Sequence, residues 1–198
     1  MRTLLVVLAL IPQLSCLPST EYKCSGNSDC PGRGGSSGVC ESIGYCSYED
    51  NACEFGRRFS EYAADRFAEQ CVPCPMNGIL TSDGNCYLES NGATSWNLAR
   101  DECARIPGNS FHLVKIDKAE ENQILDDLFS GDLWIGGSDQ ASEGKWVWTD
   151  GSAIDSGPWA SGEPSTDPVD DCLLFDARDA EWEATDCNEN HGFVCERP

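Results

Sequence analysis

The stretch that decides the fold runs Trp134-Ile135-Gly136-Gly137-Ser138-Asp139, Gly144-Lys145-Trp146-Val147-Trp148-Thr149-Asp150-Gly151, Gly162-Glu163-Pro164-Ser165 and Asp170-Asp171-Cys172. It closes at Trp182-Glu183-Ala184-Thr185-Asp186-Cys187. Acidic residues recur through it with Gly and Pro between them, so most of it reads as loop. Carboxylate oxygens on loops are the donors a hard cation such as calcium takes, in sets of about 6–8 oxygens. The same composition also describes a solvated acidic face. Two segments break the loop character. Residues 133–136 form an apolar strand, and 145–149 alternate so that both tryptophans fall on one face.

Working outward, Cys172 to Phe175, Trp182 to Thr185 and Phe193 to Glu196 read as short strands. Upstream, Cys74-Pro75 and Asn85-Cys86-Tyr87-Leu88 bracket a hairpin. Thr94 or Ser95 can cap a helix beginning near Trp96, with Trp96, Ala99, Cys103 and Ile106 on its buried face and Pro107-Gly108 as its stop. Phe111 to Ile116 reads as a strand. Asp117 can cap a second helix, 118–129, with Ala119, Ile124, Leu125 and Leu128 apolar. Two helices with several short strands predict an α+β domain.

The chain has 198 residues, 34 of them acidic and 13 basic, for a net charge of −21. Such a balance excludes phosphate backbones and anionic membranes as partners. It suits calcium, basic partners or mineral surfaces. Arg2, the apolar run Leu4–Ile11 and the exit at Ser15-Cys16 predict a secretory signal peptide over 1–16, with a lipid-anchored Cys16 as the runner-up. The apolar run is too short to span a bilayer. Removal of Cys16 from the 13 cysteines leaves an even set, suited to full pairing in an oxidising compartment. A secreted, extracellular protein without a transmembrane segment is expected.

Residues 17–23 read as a linker. Cys24, Cys30, Cys40, Cys46, Cys53 and Cys71 mark a small loop-rich module over 24–71, and the sequence does not choose among their pairings. Phe55, Phe59, Tyr62, Ala63 and Phe67 recur at three- and four-residue spacing with charges between, which predicts an amphipathic helix. That aromatic face would pack on the module, on the next domain or on a second copy, making a homo-oligomer conceivable. Cys71-Val72-Pro73-Cys74 has the spacing of a redox or zinc pair. It lacks the second pair or βαβ setting such a role needs, so Cys71 is expected to close the module and Cys74 to open the next domain, 72–198.

The order of these motifs is recognisable. Residues 74–196 resemble a C-type lectin domain of the long form, on Cys74-Pro75 and Cys86-Tyr87, the Trp96–Cys103 helix, Trp134-Ile135-Gly136 and Gly144-Lys145-Trp146-Val147-Trp148. Glu163-Pro164-Ser165, Asp171-Cys172, Trp182 with Cys187, and Gly192-Phe193-Val194-Cys195-Glu196 complete the set. The resemblance implies a C-type lectin-like fold with two helices, short antiparallel sheets and a long disulfide-stabilised loop region. It also implies disulfides Cys74–Cys86, Cys103–Cys195 and Cys172–Cys187, and a cis Pro164.

For function, the resemblance implies a calcium-dependent glycan-binding protein. Carried over residue by residue, the sugar-type calcium site falls on Glu163, Ser165, Asp170 and Glu183. Ser165 and Glu183 stand where Asn is usual, Asp170 where Glu is usual, and Ala184 where an Asp would bind. A second calcium site of the family falls on Asp139, Glu143, Asp170 and Asp171, with Asp167 as a further carboxylate. Clustered carboxylates repel until a cation joins them. The alternative is a lectin-like domain without sugar binding that contacts protein or mineral surfaces, with calcium only shaping its loops. Trp134, Trp146, Trp148 and Trp182 read as core. Trp159 reads as an exposed contact or a folded-back anchor. No Ser-His-Asp or Cys-His arrangement assembles, so an enzyme is not expected.

Overall fold

The computed structural model describes residues 21–33, 36–75, 77–107 and 110–198. The expected signal peptide and the first part of the expected linker lie outside the described residues. The strands are β1 (Val39–Cys40), β2 (Cys46–Glu49), β3 (Arg57–Phe59), β4 (Ile79–Leu80), β5 (Cys86–Glu89), β6 (His112–Leu113), β7 (Asp132–Ser138), β8 (Val147–Trp148), β9 (Cys172–Asp176), β10 (Glu181–Thr185) and β11 (Gly192–Arg197). The helices are α1 (Trp96–Arg105) and α2 (Ala119–Leu128). Together they make the α+β, C-type lectin-like fold.

The larger sheet runs β10-β9-β7-β11-β5-β4, with β6 on β11 and β8 on β7. Its pairs are antiparallel except β7 with β11, which run parallel with Gly192 opposite Leu133. The uninterrupted apolar character of β7 and β9 has a simple cause, because nearly every residue of both is buried. Gly136 is required where the chains come closest: a Cβ there would stand 2.8 Å from the Leu113 carbonyl oxygen.

Tryptophan N–H groups tie the layers together. Trp96 Nε1 donates to the Ile135 carbonyl at 2.7 Å and Trp134 Nε1 to that of Thr94 at 2.8 Å. Trp182 Nε1 donates to Asn122 Oδ1 at 2.9 Å, and Asn122 Nδ2 to the Ala180 carbonyl at 2.7 Å, which fastens α2 to β10. Asp117 does not cap α2. The Glu121 carboxylate reaches back instead, accepting from the Asp117 and Lys118 N–H groups at 2.7 and 3.2 Å.

Six disulfides frame the chain: Cys24–Cys40, Cys30–Cys46, Cys53–Cys71, Cys74–Cys86, Cys103–Cys195 and Cys172–Cys187. Cys71 and Cys74 pair outward in opposite directions, so they are no redox couple.

The N-terminal module departs from expectation in two ways. The amphipathic helix does not form. Residues 57–59 are β3, paired antiparallel with β2 and bridged to Cys71 through Arg58, and the chain then descends through successive turns with Glu69 in the left-handed region at φ 59°. Hydrogen bonds from Ala63 to Ser60, Phe67 to Ala64 and Gln70 to Phe67 give the same three- to four-residue recurrence a helix would. Phe59, Ala63 and Phe67 are buried within the protein, while Tyr62 stays 51% exposed, so the expected aromatic face is divided between core and surface. The second departure is the linker. Tyr22 donates its N–H to the Tyr62 carbonyl at 2.9 Å, and Lys23 lies 3.7 Å from the Tyr45 ring centroid, so residues 21–23 pack on the module.

Candidate functional site

Asp139 follows β7 directly. Its backbone N–H donates to the Asp171 carbonyl at 3.1 Å, and its own carbonyl accepts from Ser142 at 2.8 Å. The chain turns back through Gly144, whose φ of +72° suits glycine, and the Gly144 N–H donates to Asp139 Oδ2 at 2.7 Å. That turn lays Glu143 over Asp139. From the other side β9 delivers Asp171, one residue before Cys172, which is paired in register with Ser138 and bonded to Cys187.

Carboxylate oxygens of Asp139, Glu143 and Asp171 lie within 4.8 Å of one another. Asp139 is only 2 % exposed, and its Oδ1 has no hydrogen-bond partner among the described residues. A buried carboxylate oxygen without a donor is costly, and beside two further carboxylates it is costlier. Burial pushes the Asp139 carboxyl above its ordinary value, and the adjacent Asp171 charge adds to the push. The Glu143 carboxyl is also raised, by lost solvation and then by Asp139, Asp171 and Asp167. A hard divalent cation answers each of these strains, since it supplies positive charge to three gathered oxygens and a partner to Oδ1. The donor set fits calcium.

The remaining expected ligands sit differently. Asp167 is close enough to raise Glu143 but stands outside the cluster; its Oδ1 accepts from the Val169 N–H at 3.2 Å. Asp170 Oδ2 accepts from the Ser165 hydroxyl at 2.9 Å. Glu163 precedes a cis peptide to Pro164, and its Oε2 accepts from the Ser165 and Ala184 N–H groups at 2.8 and 2.9 Å. Glu163, Ser165 and Asp170 therefore form one hydrogen-bonded chain. Glu183, half-buried on β10, is raised by burial and then chiefly by the charges of Asp176 and Asp132. Among the described residues Glu163, Asp170 and Glu183 do not come together as a carboxylate cluster; the two residue groups with metal-holding geometry are Asp139 with Glu143 and Asp171, and Cys24 with Cys30 and Cys40. The sulfurs of the second group are bonded in Cys24–Cys40 and Cys30–Cys46, so they offer no thiolates.

The loop between β8 and β9 folds back. Trp159 bridges to Trp182, Trp182 donates its N–H to the Pro158 carbonyl at 2.8 Å, and Ala160 donates to that of Trp182 at 2.9 Å. Trp146, Trp159, Trp182 and Trp148 stack edge to face in sequence, with centroids 5.2, 5.7 and 5.5 Å apart. Trp159 is thus a loop anchor rather than an exposed contact.

Two features escaped sequence reasoning. Glu196 on β11 is 4 % exposed, and burial pushes its carboxyl up to about 8. Only its place in an apolar strand hinted at that. A groove in the N-terminal module lined by Tyr22, Tyr48 and Tyr62 had no linear signal, because its residues come from four separate segments.

A disulfide-framed α+β fold whose loops gather carboxylates has the make-up of a binding protein. The Lectin C-type domain model matches residues 92–197, just over half of the chain. Lectin BRA-3 of Megabalanus rosa is 34% identical over 138 residues, spanning 67% of this chain and 85% of that protein. The type-2 ice-structuring protein of Brachyopsis segaliensis is 30% identical over 129 residues, spanning 65% of this chain and 74% of that protein. Among solved structures, the carbohydrate-recognition domain of the mouse scavenger receptor C-type lectin superposes with a TM-score of 0.56 at 32% identity, covering 63% of this chain and 95% of that one. The chain belongs to the C-type lectin domain family.

Proposed function

We propose that this protein is a secreted lectin that binds calcium at Asp139, Glu143 and Asp171 and recognises glycans through the neighbouring loops. The observation that carries the calcium reading is the buried Asp139 carboxylate, its Oδ1 without a partner among the described residues, gathered within 4.8 Å of two more carboxylates. Asp167, whose charge raises Glu143, and Asp170, the chain neighbour of Asp171, are the further carboxylates we assign to the ion. Bound there, calcium would join the turn after β7 to the strand entry at Cys172. It would thereby hold the loop that carries Glu163, Ser165 and Asp170. Glycan recognition is supported by the names of relatives such as Lectin BRA-3 and by the intact Glu163–Pro164 with its cis bond. Secretion is supported by the leader-like residues 1–16 and by six disulfides, which persist in oxidising compartments.

A second reading is favoured by Ala184 and by Glu163. Ala184 offers no side-chain oxygen, and one Glu163 oxygen is taken by two backbone donors. In that reading calcium shapes the loops and the partner is a protein or a mineral surface. No helix among the described residues is long and apolar enough to cross a membrane.

Calorimetric calcium titration of the intact chain, with and without mannose- and galactose-type glycans, separates the two. Calcium affinity that rises when a glycan is present supports the lectin. Calcium binding indifferent to every glycan supports the second reading. Absence of calcium binding rejects both.

A further inference from the structure

The N-terminal module holds a groove of about 490 Å³, within the range of about 300–1,000 Å³ usual for small-molecule sites. Tyr22, Tyr48 and Tyr62 line it together with Pro31, Arg33 and Ser60. Tyr22 and Tyr62 are 49% and 51% exposed, and they are two of only four large hydrophobic residues so exposed among the described residues. Their convergence is built. The Tyr22 N–H donates to the Tyr62 carbonyl at 2.9 Å, and the Tyr62 N–H donates to Ser60 Oγ at 3.1 Å. The disulfide Cys30–Cys46 fixes the floor beside Tyr48. None of the three phenol hydroxyls bonds to a described residue.

The groove carries one carboxylate that no cation pairs, that of Glu21, in a chain of net charge −21. Arg33 is bonded to Glu61 at 2.6 Å and lies 5.6 Å over the Tyr48 ring. Glu21 accepts from the Tyr45 hydroxyl at 3.0 Å. The acidic surface would repel an anion, and the Glu21 carboxylate is a strong acceptor for ligand hydroxyls. Flat rings present apolar faces, and phenol hydroxyls both donate and accept. The matching ligand has an apolar C–H face, many donor-acceptor hydroxyls and no negative charge. We infer that the Tyr22–Tyr48–Tyr62 groove is a second binding site, for a neutral mono- or disaccharide, that works without calcium. It shares no residue with the Asp139 cluster, so it stands whether or not the calcium reading does.

Saturation-transfer difference NMR on the intact chain in excess EDTA tests it, with maltose, cellobiose, N-acetylglucosamine and methyl α-mannoside as probes. Transfer to sugar C–H protons is expected to persist in EDTA. Tyr62→Ala and, independently, Tyr22→Ala should each weaken that binding by about tenfold, the loss of one ring contact. Asp139→Asn should leave it unchanged. Both tyrosines are half exposed, so the disulfide core survives their loss, as near-ultraviolet dichroism would verify. Transfer abolished by EDTA would assign sugar binding to the calcium loops and overturn this inference while leaving the lectin reading intact. Transfer undiminished in both tyrosine variants, or binding of a polyproline peptide and of none of the sugars, would also overturn it.

Discussion

Asp139 shows how much one side chain can demand. Its Oδ2 is held by the Gly144 N–H while Oδ1 is buried with no donor among the described residues, so ionising it without a cation is costly. Burial raises its carboxyl, as does lost solvation that of Glu143. A carboxyl raised on folding favours the folded state when protonated, and that contribution fades as pH rises from the ordinary carboxylate value through the raised one. Calcium should therefore lift the melting temperature more at pH 7 than near pH 4, where protons compete for the same oxygens. At a calcium concentration of a hundred times Kd the gain is about 2.7 kcal/mol. Asp139→Asn should weaken calcium binding by at least about tenfold, about 1.4 kcal/mol, and so remove at least about half of that gain. An unchanged calcium isotherm would sink the site. Glu196 runs by the same sign. Its Oε1 accepts from the Lys115 N–H at 2.6 Å, and burial pushes its carboxyl from 4.5 to about 8. With the proton retained, the 3.7 Å approach of His112 is no ion pair; that ring nitrogen instead lies 2.9 Å from the Leu113 carbonyl. Stability from Glu196 is full below about 4.5 and is lost as pH climbs toward 8. Glu196→Gln should flatten that slope in urea-unfolding curves measured across the window. The spacing of Asp139, Glu143 and Asp171 was legible in the sequence because a turn and a strand entry fix it. The orphaned oxygen was not, since it depends on what packs around the turn.

At the scale of elements, legibility followed the strength of the local pattern. The strands from 132 to 197 and the two helices were readable because apolar periodicity, stops at Gly and Pro, and the ordered motifs agreed. The segment 55–69 was misread because aromatic recurrence every three or four residues does not require a helix. Successive turns closed by Cys53–Cys71 bury Phe59, Ala63 and Phe67 equally well, and a covalent loop of this kind overrides weak helix propensity. The long loop before β9 shows the opposite case, an irregular segment pinned as firmly as a strand. Gly157 lies against Trp182, where a Cβ would stand 2.1 Å from the indole Cζ3. Trp182 is buried and bonded to Asn122, so it has little room to yield. Gly157→Ala should cost about 1–3 kcal/mol of stability. It should also separate Trp159 from Trp182, which would change the near-ultraviolet dichroism of the stacked indoles. A variant with wild-type stability and spectrum would mean that the loop is not anchored there.

Across the whole molecule, the sequence divides into two segments but the core does not. Tyr45, Phe59, Phe67 and Val72 belong to the same buried cluster as Leu80, Trp96, Phe111 and Phe193. Phe55 meets Phe111 edge to face at 6.3 Å, and Arg197 both bonds Glu54 at 2.8 Å and covers the Phe55 ring at 5.3 Å. Ser42 Oγ donates to the Leu80 carbonyl at 2.7 Å and accepts from the Leu80 N–H at 2.9 Å, satisfying the outer edge of β4. A shared core couples unfolding, so the intact chain should melt in one calorimetric transition whose calorimetric and van't Hoff enthalpies agree. Residues 72–198 produced alone should melt at a lower temperature, because Leu80 and Phe111 lose the apolar surface that covers them. Ser42→Ala in the intact chain should cost about 1–3 kcal/mol by stranding two backbone groups of Leu80. The exposed Arg197–Glu54 pair should contribute at most about 1 kcal/mol, and less in high salt. Two resolved transitions, with Ser42→Ala silent, would show that the module hangs on a tether. A single transition would mean that the tyrosine groove and the acidic loops are presented in fixed relation, so that a ligand bridging them would gain effective concentration from the fold itself.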